Sequence, residues 1–208
     1  TQIGKNNQFY SFCAIGLSPQ HSKFSGGKSK LIIGDNNIIR EHVTMHPGTD
    51  IGIKVTKVGN DSLFMVGSHV AHDCIVGNNT IMANLATLGG HVELGEWVNL
   101  GGGVMIHQFT KIGSQSFIGG GFRAVQDVPP FIIAAGEPLK FCGINKIGLK
   151  RRGFSNEERG LIKKAYRTYF MSKLNRKEAL FKIKSDFPQS DQIKAIIKFI
   201  ESSERGII

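Results

Sequence analysis

Four histidines in the middle of the chain have spacings that could bring their side chains together. His69 and His72 are three residues apart, His91 follows 19 residues after His72, and His107 follows 16 residues after His91. Imidazole titrates near neutral pH, so one ring could act as a general base while the others bind a substrate. The rings could instead bind zinc, or they could be ordinary polar residues. No Ser or Cys lies beside them in a nucleophile elbow, which disfavours covalent catalysis.

A repeat of six residues explains how these histidines could meet. A second register of the same period covers the N-terminal part, at Ile3, Phe9, Ile15, Ile33, Ile39 and Met45. A period of six is typical of hexapeptide β-helices, in which three hexads form one coil of about 18 residues. We therefore predict a left-handed parallel β-helix with the apolar residue of each hexad inside. The main register runs through twelve apolar residues: Val58, Phe64, Val70, Val76, Met82, Leu88, Leu94, Leu100, Ile106, Ile112, Ile118 and Ala124.

This coil length predicts that His72, His91 and His107 lie close to one edge of three successive coils, within roughly 10 Å. His69 is expected to point to another part of the corner. Residues 16–32 are rich in Ser, Gly and Lys and interrupt the repeat, so we predict a loop that leaves one corner and returns in register. Residues 50–57 absorb a phase shift of one residue.

The repeat is expected to end near Val128-Pro129-Pro130, because proline cannot donate to a strand ladder. We therefore divide the chain into a β-helix domain, residues 1–144, and a helical domain, residues 145–208. Capping boxes predict two of its helices and an amphipathic run predicts a third. The residues concerned are Ser155 with Glu158, Asn175 with Glu178, and Ile193, Ile196, Ile197 and Ile200.

The positive charge is concentrated in the helical part. Residues 1–144 contain 10 Lys and Arg against 9 Asp and Glu, a balance of +1, whereas residues 145–208 contain 16 against 7, a balance of +9. Such a surface attracts an acidic partner: nucleic acid, an anionic membrane or an acidic protein. A solvated face without a partner would also account for the charge. No zinc knuckle, RNP motif or base-reading helix is present, which disfavours nucleic acid.

The cysteines and the apolar runs indicate the cellular setting. Cys13, Cys74 and Cys142 form no CxxC pair, which favours three buried thiols and a reducing, cytoplasmic compartment. No apolar run is long enough for a membrane span, and no leader pattern opens the chain. The chain begins within a repeat and without Met, as a fragment of a longer protein would.

Several motifs together go beyond a generic hexapeptide repeat. Over essentially its whole length the chain resembles UDP-N-acetylglucosamine O-acyltransferases, enzymes of the first step of lipid A biosynthesis. The resemblance rests on His69-Val70-Ala71-His72-Asp73-Cys74, Leu88-Gly89-Gly90-His91, Ile106-His107-Gln108-Phe109, Gln126-Asp127-Val128-Pro129-Pro130 and Gly148-Leu149-Lys150-Arg151-Arg152-Gly153-Phe154.

The resemblance implies a homotrimer of left-handed β-helices with active sites between subunits and no cofactor or metal. His72 would be the general base that takes a proton from the glucosamine 3-hydroxyl, and Asp73 could hold its tautomer. That hydroxyl would attack the thioester of an (R)-3-hydroxyacyl group on acyl carrier protein, and the Gly90 N–H would stabilise the oxyanion. The basic helical part would then bind the acidic acyl carrier protein.

The resemblance also implies substrate contacts by residue position. The sugar and the donor would be contacted by Gln20, His21, Lys23, His69, His91, His107 and Gln108. The nucleotide would be contacted by Asn145, Arg151 and Arg152, where arginine suits a diphosphate because it binds bidentately. Gly102 and Gly120 would belong to the acyl-chain pocket, and glycine at 120 leaves room for a long chain.

Two positions depart from the family pattern. The common loop motif Gln-Asp-Leu-Lys reads Gln20-His21-Ser22-Lys23 here, so an imidazole replaces the carboxylate near the sugar 3-position. Ile147 stands where one branch of the family has an acidic residue. The first departure leaves the 3-amino analogue of UDP-N-acetylglucosamine as a second candidate acceptor. The motifs also leave open the later N-acyltransferase of the same pathway, a hexapeptide zinc enzyme of the carbonic anhydrase type, and a β-helix without activity.

Overall fold

The computed structural model describes all residues from Thr1 to Ile208. Short strands wind into coils whose three sides form three sheets. The first sheet contains β1 (Gln2–Ile3), β4 (Lys30–Ile33), β7 (Val55–Val58), β10 (Ile75–Val76), β13 (Glu93–Leu94) and β16 (Lys111–Ile112). The second contains β2 (Gln8–Phe9), β5 (Ile38–Ile39), β8 (Leu63–Phe64), β11 (Ile81–Met82), β14 (Asn99–Leu100), β17 (Phe117–Ile118), β19 (Ile132–Ala135) and β20 (Lys140–Ile144). The third contains β3 (Ala14–Ile15), β6 (Thr44–Met45), β9 (His69–Val70), β12 (Thr87–Leu88), β15 (Met105–Ile106) and β18 (Arg123–Ala124).

The register confirms the predicted coil length. Ile75 pairs with Glu93, which pairs with Lys111, so strands of successive coils run parallel and are offset by three hexads. All twelve apolar residues of the main register are buried, and they form the core with no polar side chain among them. Ile3 and Phe9 of the first described coil occupy the inward position of the repeat and are exposed.

Three corners join the sheets, and each has its own character. The histidine corner joins the third sheet to the first and includes His72 and His91. The tryptophan corner joins the first sheet to the second and includes Trp97. The glycine corner joins the second sheet to the third and includes Gly102 and Gly120.

Two segments depart from the regular winding, and both leave from the histidine corner. Residues 16–29 connect β3 to β4, which agrees with the predicted loop except at its C-terminal end. Residues 46–54 connect β6 to β7 and lengthen the offset between β4 and β7 beyond one coil, as the pairing of Ile32 with Lys57 shows. Both segments therefore lie beside His72.

The prediction that strand stacking ends at Pro129-Pro130 is wrong by one strand. β19 still pairs in parallel with β17, and β20 then pairs antiparallel with β19. The two prolines lie at a corner, where their lack of an N–H is harmless. Their carbonyls accept hydrogen bonds from the hydroxyls of Ser116 and Tyr166. A domain boundary at residue 144 remains a prediction.

Four helices follow: α1 (Lys146–Arg151), α2 (Asn156–Met171), α3 (Arg176–Asp186) and α4 (Asp191–Glu201). The structure confirms both predicted capping boxes, at Ser155 with Glu158 and at Asn175 with Glu178. The helix α1 has no capping box, and the sequence did not predict it. It begins at Asn145, whose side chain accepts from the N–H of Gly148.

The cysteines agree only in part with the prediction of three buried thiols. All three are free, but only Cys74 is buried, whereas Cys13 is half-buried and Cys142 is exposed. Burial raises the pKa of the Cys74 thiol to about 12, so it packs as a small apolar group. None of the four helices combines the length and the hydropathy that a membrane crossing requires.

Candidate active site

The histidine corner brings together the side chains that the spacing singled out. Asp73, His91 and Phe109 occupy the same position of three successive coils, and each has a left-handed φ between 60° and 64°. His72 precedes Asp73, and its carbonyl accepts a hydrogen bond from the N–H of His91. The rings of His72 and His91 meet edge to face with their centroids 5.4 Å apart. The corner therefore stacks these side chains along one edge.

Asp73 fixes the tautomer of His72. Its buried carboxylate lies 2.9 Å from Nδ1 of His72. Thr49 also binds this carboxylate, through its N–H at 3.0 and 3.1 Å and its hydroxyl at 2.8 Å. An ionised carboxylate only accepts hydrogen bonds, so Nδ1 of His72 carries the proton. Nε2 is therefore the free basic nitrogen, as a general base requires.

Gly90 lies against the free edge of this ring. A methyl group on its Cα would be 2.5 Å from Cε1 and 2.7 Å from Nε2 of His72, so only glycine fits without displacing the ring. The Gly90 N–H donates to no group of the chain. A backbone donor beside the base is the arrangement that stabilises an oxyanion formed there.

The surroundings of His91 favour the neutral form of its ring. It stacks on Phe109 with a centroid distance of 4.5 Å, and its Nε2 is 3.7 Å from the Asp73 carboxylate. Burial lowers its pKa; Asp73 acts in the opposite direction, while His72 and His21 lower it further. His91 is therefore an uncharged group for hydrogen bonding at pH 7.

Residues 16–29 bring a third imidazole to the site. The ring of His21 meets that of His72 edge to face at 5.0 Å, and its Nδ1 accepts from the N–H of Lys23 at 3.2 Å. The neutral ring thus carries its proton on Nε2. Gln20 and Lys23 flank His21 and are exposed. This loop places three of the sequence-predicted residues at the histidine corner.

His69 points to a different part of the corner, as predicted. Its Nδ1 is 2.6 Å from the hydroxyl of Thr44, and its ring contacts His46 at 5.3 Å. Burial, together with the nearby rings of His46 and His72, lowers the pKa of His69 to about 4. His69 is therefore neutral under ordinary conditions.

His107 does not join this cluster. It is exposed, its Nδ1 lies 3.1 Å from the carbonyl of Gln108, and no hydrogen bond or ring contact links it to His72 or His91. Its backbone lies at the predicted corner on the coil after His91, but the residue one full coil on from His91 is Phe109. His107 and the exposed Gln108 lie on the next coil, just before that position.

The tryptophan corner packs against α1 and its C-cap, which carry the basic residues predicted for the nucleotide. Trp97, Gln115, Asn145, Arg151 and Arg152 line part of a cavity of about 790 Å³ between the second sheet and α1. Arg152 lies over the Trp97 ring at 4.9 Å and donates to Gln115 Oε1 at 2.7 Å. Burial and the neighbouring Arg151 lower its pKa. Arg151 itself is exposed.

Asn145 is buried and already paired. Its Oδ1 accepts from the Gly148 N–H at 3.1 Å, and its Nδ2 donates to the carbonyl of Gln115 at 2.8 Å. It therefore positions α1, the helix that carries Arg151, against the tryptophan corner.

The glycine corner holds the two residues predicted for the acyl pocket. A methyl on Gly120 would approach the Gly102 carbonyl to 3.0 Å, and one on Gly102 would approach the Asn84 carbonyl to 3.4 Å. The two glycines thus stack on successive coils. One side of the β-helix separates them from His72 in the same chain.

The zinc hypothesis finds little support in this geometry. His72, Asp73 and His91 offer ligand atoms within 4.8 Å of one another. The carboxylate already accepts from Thr49 and His72, and His72 uses Nδ1 as the donor. The cluster therefore lacks three free imidazole nitrogens directed at one point.

Sequence reasoning missed several residues of the site. Counting one full coil on from His91 would have found Phe109. Trp97 and Gln115 could have been found in the same way, because they too are separated by exactly three hexads. No periodic signal marks His46 and Thr49, because they belong to the segment that breaks the repeat.

Comparisons with known proteins agree with the fold and the site. Residues 127–208 match the model of a family described as "Udp N-acetylglucosamine O-acyltransferase; Domain 2". A curated acyl-[acyl-carrier-protein]--UDP-N-acetylglucosamine O-acyltransferase of Janthinobacterium sp. is 43% identical over 98% of this chain and 79% of its own. One of the same name from Aliarcobacter butzleri is 46% identical over 99% and 78%.

Solved structures give the same result. The UDP-N-acetylglucosamine O-acyltransferase of Moraxella catarrhalis superposes with a TM-score of 0.95 at 39% identity, over 99% of this chain and 80% of that one. The UDP-N-acetylglucosamine acyltransferase of Campylobacter jejuni gives 0.90 at 34% identity, over 99% and 86%. These matches confirm the left-handed parallel β-helix with a helical C-terminal part. The chain belongs to the family of acyl-[acyl-carrier-protein]--UDP-N-acetylglucosamine O-acyltransferases.

Proposed function

We propose that this acyltransferase moves an (R)-3-hydroxyacyl group from acyl carrier protein to the 3-hydroxyl of UDP-N-acetylglucosamine, the first step of lipid A biosynthesis. The proposal rests on His72, whose Nδ1 is bound to Asp73 and whose Nε2 edge lies against Gly90. The names of the relatives include both the acyl carrier protein and UDP-N-acetylglucosamine.

The reaction needs one base and one oxyanion donor. Nε2 of His72 removes the proton of the 3-hydroxyl while the oxygen attacks the thioester carbon. The Gly90 N–H stabilises the tetrahedral oxyanion. The C–S bond then breaks, and the imidazolium returns its proton to the leaving thiolate of acyl carrier protein. Asp73 stabilises the imidazolium between these two transfers.

The acceptor sugar is bound by groups around His72. His21 and His91 flank the base and offer ring nitrogens for hydrogen bonds, with Gln20 and Lys23 on the same loop as His21. His69, His107 and Gln108 are assigned to substrate contacts through the family resemblance. At the tryptophan corner the exposed Arg151 binds the diphosphate, while Arg152 is held by Trp97 and Gln115.

A single chain does not bring these parts together. The base and the glycines lie on two corners and the arginines pack against the third, with the corners separated by about 15–20 Å along sides of one hexad each. We propose a homotrimer in which a neighbouring copy supplies the remaining parts, with Gly102 and Gly120 at the end of the acyl pocket. Light scattering should give about three times the 22.8 kDa of one chain. A monomer that turns over at full rate would exclude this arrangement.

The donor protein is recognised by charge. Lys163, Lys164 and Arg167 line a groove of about 470 Å³ on α2, in the part of the chain that carries the excess positive charge. Reversing these charges should raise KM for acyl carrier protein without changing kcat, and high salt should have the same effect. We also propose a cytoplasmic location, which the three free cysteines support.

The decisive experiment measures acyl transfer from (R)-3-hydroxyacyl carrier protein to labelled UDP-N-acetylglucosamine, with His72→Ala as the comparison. We expect turnover that falls about 10³- to 10⁴-fold in the variant, the upper range for loss of a general base. Transfer to the 3-amino analogue alone would change the acceptor and direct attention to His21. No transfer to either acceptor would reject the proposal and call for a measurement of bound zinc.

A further inference from the structure

The segment of residues 46–54, here named the clamp, contains buried groups that the proposed reaction does not use. It connects β6 to β7 at the histidine corner and packs against the loop of residues 16–29. That loop carries His21, the ring that meets His72. The contacts between the clamp and the loop occur on both sides of His21.

His46 binds the incoming limb of the loop. Its side chain is buried, and its Nδ1 lies 2.8 Å from the carbonyl of Ser18 and 3.1 Å from that of Leu17. Carbonyl oxygens only accept, so Nδ1 carries the proton and donates to them. This bond fixes the backbone just before Gln20 and His21.

Asp50 binds the outgoing limb. The hydroxyl of Ser25 donates to its Oδ2 at 2.6 Å, and this bond is the main cause of the lowered pKa of Asp50. Gly27 packs directly on Asp50, because a methyl there would lie 2.4 Å from the Asp50 Cβ. The loop is therefore held a few residues before and after His21.

Between these two anchors the loop is a tight turn. The N–H of His21 donates to the carbonyl of Pro19 at 2.9 Å, and the N–H of Phe24 donates to that of His21 at 3.0 Å. Because the turn is internally bonded and its two limbs are fixed, the position of the His21 ring follows from the anchors.

A third clamp residue has a separate task. Thr49 lies between His46 and Asp50 in sequence but binds the Asp73 carboxylate, not the loop. Neighbouring residues of one segment thus contact the group that orients the base and the loop that reaches the acceptor.

We propose that the clamp is a positioning element in which His46 and Asp50 hold the loop of His21 in place, independently of Thr49, which holds Asp73. The kinetic part of this inference rests on the proposed function. The structural part concerns the loop alone and can be measured without turnover.

The structural test is limited trypsin digestion of the native full chain. Lys23 and Lys28 lie in the loop and are exposed, so mass spectrometry can follow cleavage after each of them. His46→Leu removes the donor, and we expect cleavage to become about three- to tenfold faster, the ratio that corresponds to one lost hydrogen bond. His46→Asn retains an N–H donor and should restore most of the protection. Asp50→Ala should act like His46→Leu, mainly after Lys28.

Thr49→Val is the matched comparison within the clamp. It should leave loop cleavage within about twofold of the parent, because its side chain binds Asp73 and not the loop, while kcat falls. In the same assays His46→Leu should raise KM for UDP-N-acetylglucosamine about three- to tenfold with little change in kcat, because it loosens the loop and not the base.

The outcomes separate the two claims. Unchanged cleavage in a folded His46→Leu variant would overturn the clamp, and so would equal cleavage in His46→Leu and Thr49→Val. If the parent protein shows no turnover but His46→Leu still exposes the loop and His46→Asn protects it, the proposed function fails and the clamp stands. Thermal unfolding of each variant confirms that cleavage reports the loop and not a general loss of fold.

Discussion

The regular and the interrupted coils of this β-helix contribute differently to the site. From Val58 to Ala124 the chain winds without an insertion, and each strand lies one coil from its neighbour. Before Val58 the winding is broken twice, by residues 16–29 and 46–54. The regular coils supply His72, Gly90 and His91 through position alone. The interruptions supply the groups that hold them or reach over them, such as Thr49 and His21. The repeat thus determines the position of His72, and the two segments that interrupt it determine which groups surround His72.

The strongest test of this division is Asp73→Asn. The amide would place an N–H donor opposite Nδ1 of His72, so the ring would turn to the other tautomer and lose its basic Nε2. We expect kcat to fall about 10⁴-fold, as for a base held in the wrong tautomer. The matched variant is Asp127→Asn, because Asp127 is equally buried and accepts from the Lys111 N–H and the Ser203 hydroxyl far from the site. This variant should lower the free energy of unfolding and leave kcat unchanged. An equal fall of kcat in both variants would contradict the role of Asp73.

Gly90→Ala tests the regular coils next. The new methyl would lie 2.5 Å from the His72 ring, so the ring must move away from its position. We expect kcat to fall about 10²-fold, the cost typical of a displacement near 1 Å. Thermal unfolding of the variant checks that the fall in kcat does not reflect a general loss of fold. Full activity of the variant, together with a crystal structure in which His72 has not moved, would refute the close packing of Gly90 against the ring.

The pH dependence of stability addresses the contact between the two regions, because His69 belongs to a regular strand and His46 to the clamp. The pKa of His69 is lowered to about 4 in the folded chain, first by burial. An unfolded histidine titrates near pH 6.5, so the unfolded state binds the extra proton between these values. The contribution of the neutral His69 ring to the free energy of unfolding should be complete above about pH 6.5 and should be lost as the pH drops towards 4. The loss is about 2 kcal/mol, after allowance for the water that still reaches the ring.

Urea unfolding at pH 7 and pH 5 measures this slope. His69→Gln keeps a partner for the Thr44 hydroxyl but does not titrate, so its stability should depend less on pH over this interval. A variant with the same slope as the parent would assign the acid sensitivity to other groups.

The smallest effect concerns the helical part. Ser155 caps α2 in a capping box with Glu158, and Ser155→Ala should lower the free energy of unfolding by about 1 kcal/mol. Ser185→Ala, at an exposed position late in α3, should stay within about 0.5 kcal/mol of the parent. Neither change should alter kcat, because both positions are remote from the histidine corner. Equal effects on stability would show that the cap contributes nothing specific.

The predictability of the structure follows the same division. The interior residues, the coil length and both capping boxes could be predicted, because each depends on a local or periodic pattern. The pairing of β20 with β19 and the short helix α1 could not, because no period continues beyond Ala124 to mark them. His107 lies at the histidine corner of the next coil, but its ring contacts neither His72 nor His91, because its spacing from His91 falls short of a full coil.

The candidate site shows why periodicity is insufficient. The bonds from Thr49 to Asp73 and from His46 to Ser18 join residues 24 and 28 apart, and neither separation is a multiple of the coil. The first depends on how the clamp folds against a regular coil, and the second on how two insertions of unrelated length fold against each other. Only three-dimensional packing determines that, and no motif in the sequence encodes it.

The origin of both insertions at one corner has a consequence for how this scaffold can change. Lengthening a surface loop costs little, about 0.6 kcal/mol for each doubling of its length. The strands on either side of residues 16–29 pair with their neighbours whether that loop is long or short. Such a loop can be exchanged as a unit while the Asp73–His72 pair, built on other coils, stays intact. Under the proposed function, in which this loop contacts the acceptor and His72 is the base, replacing the loop would change the acceptor preference without rebuilding the base.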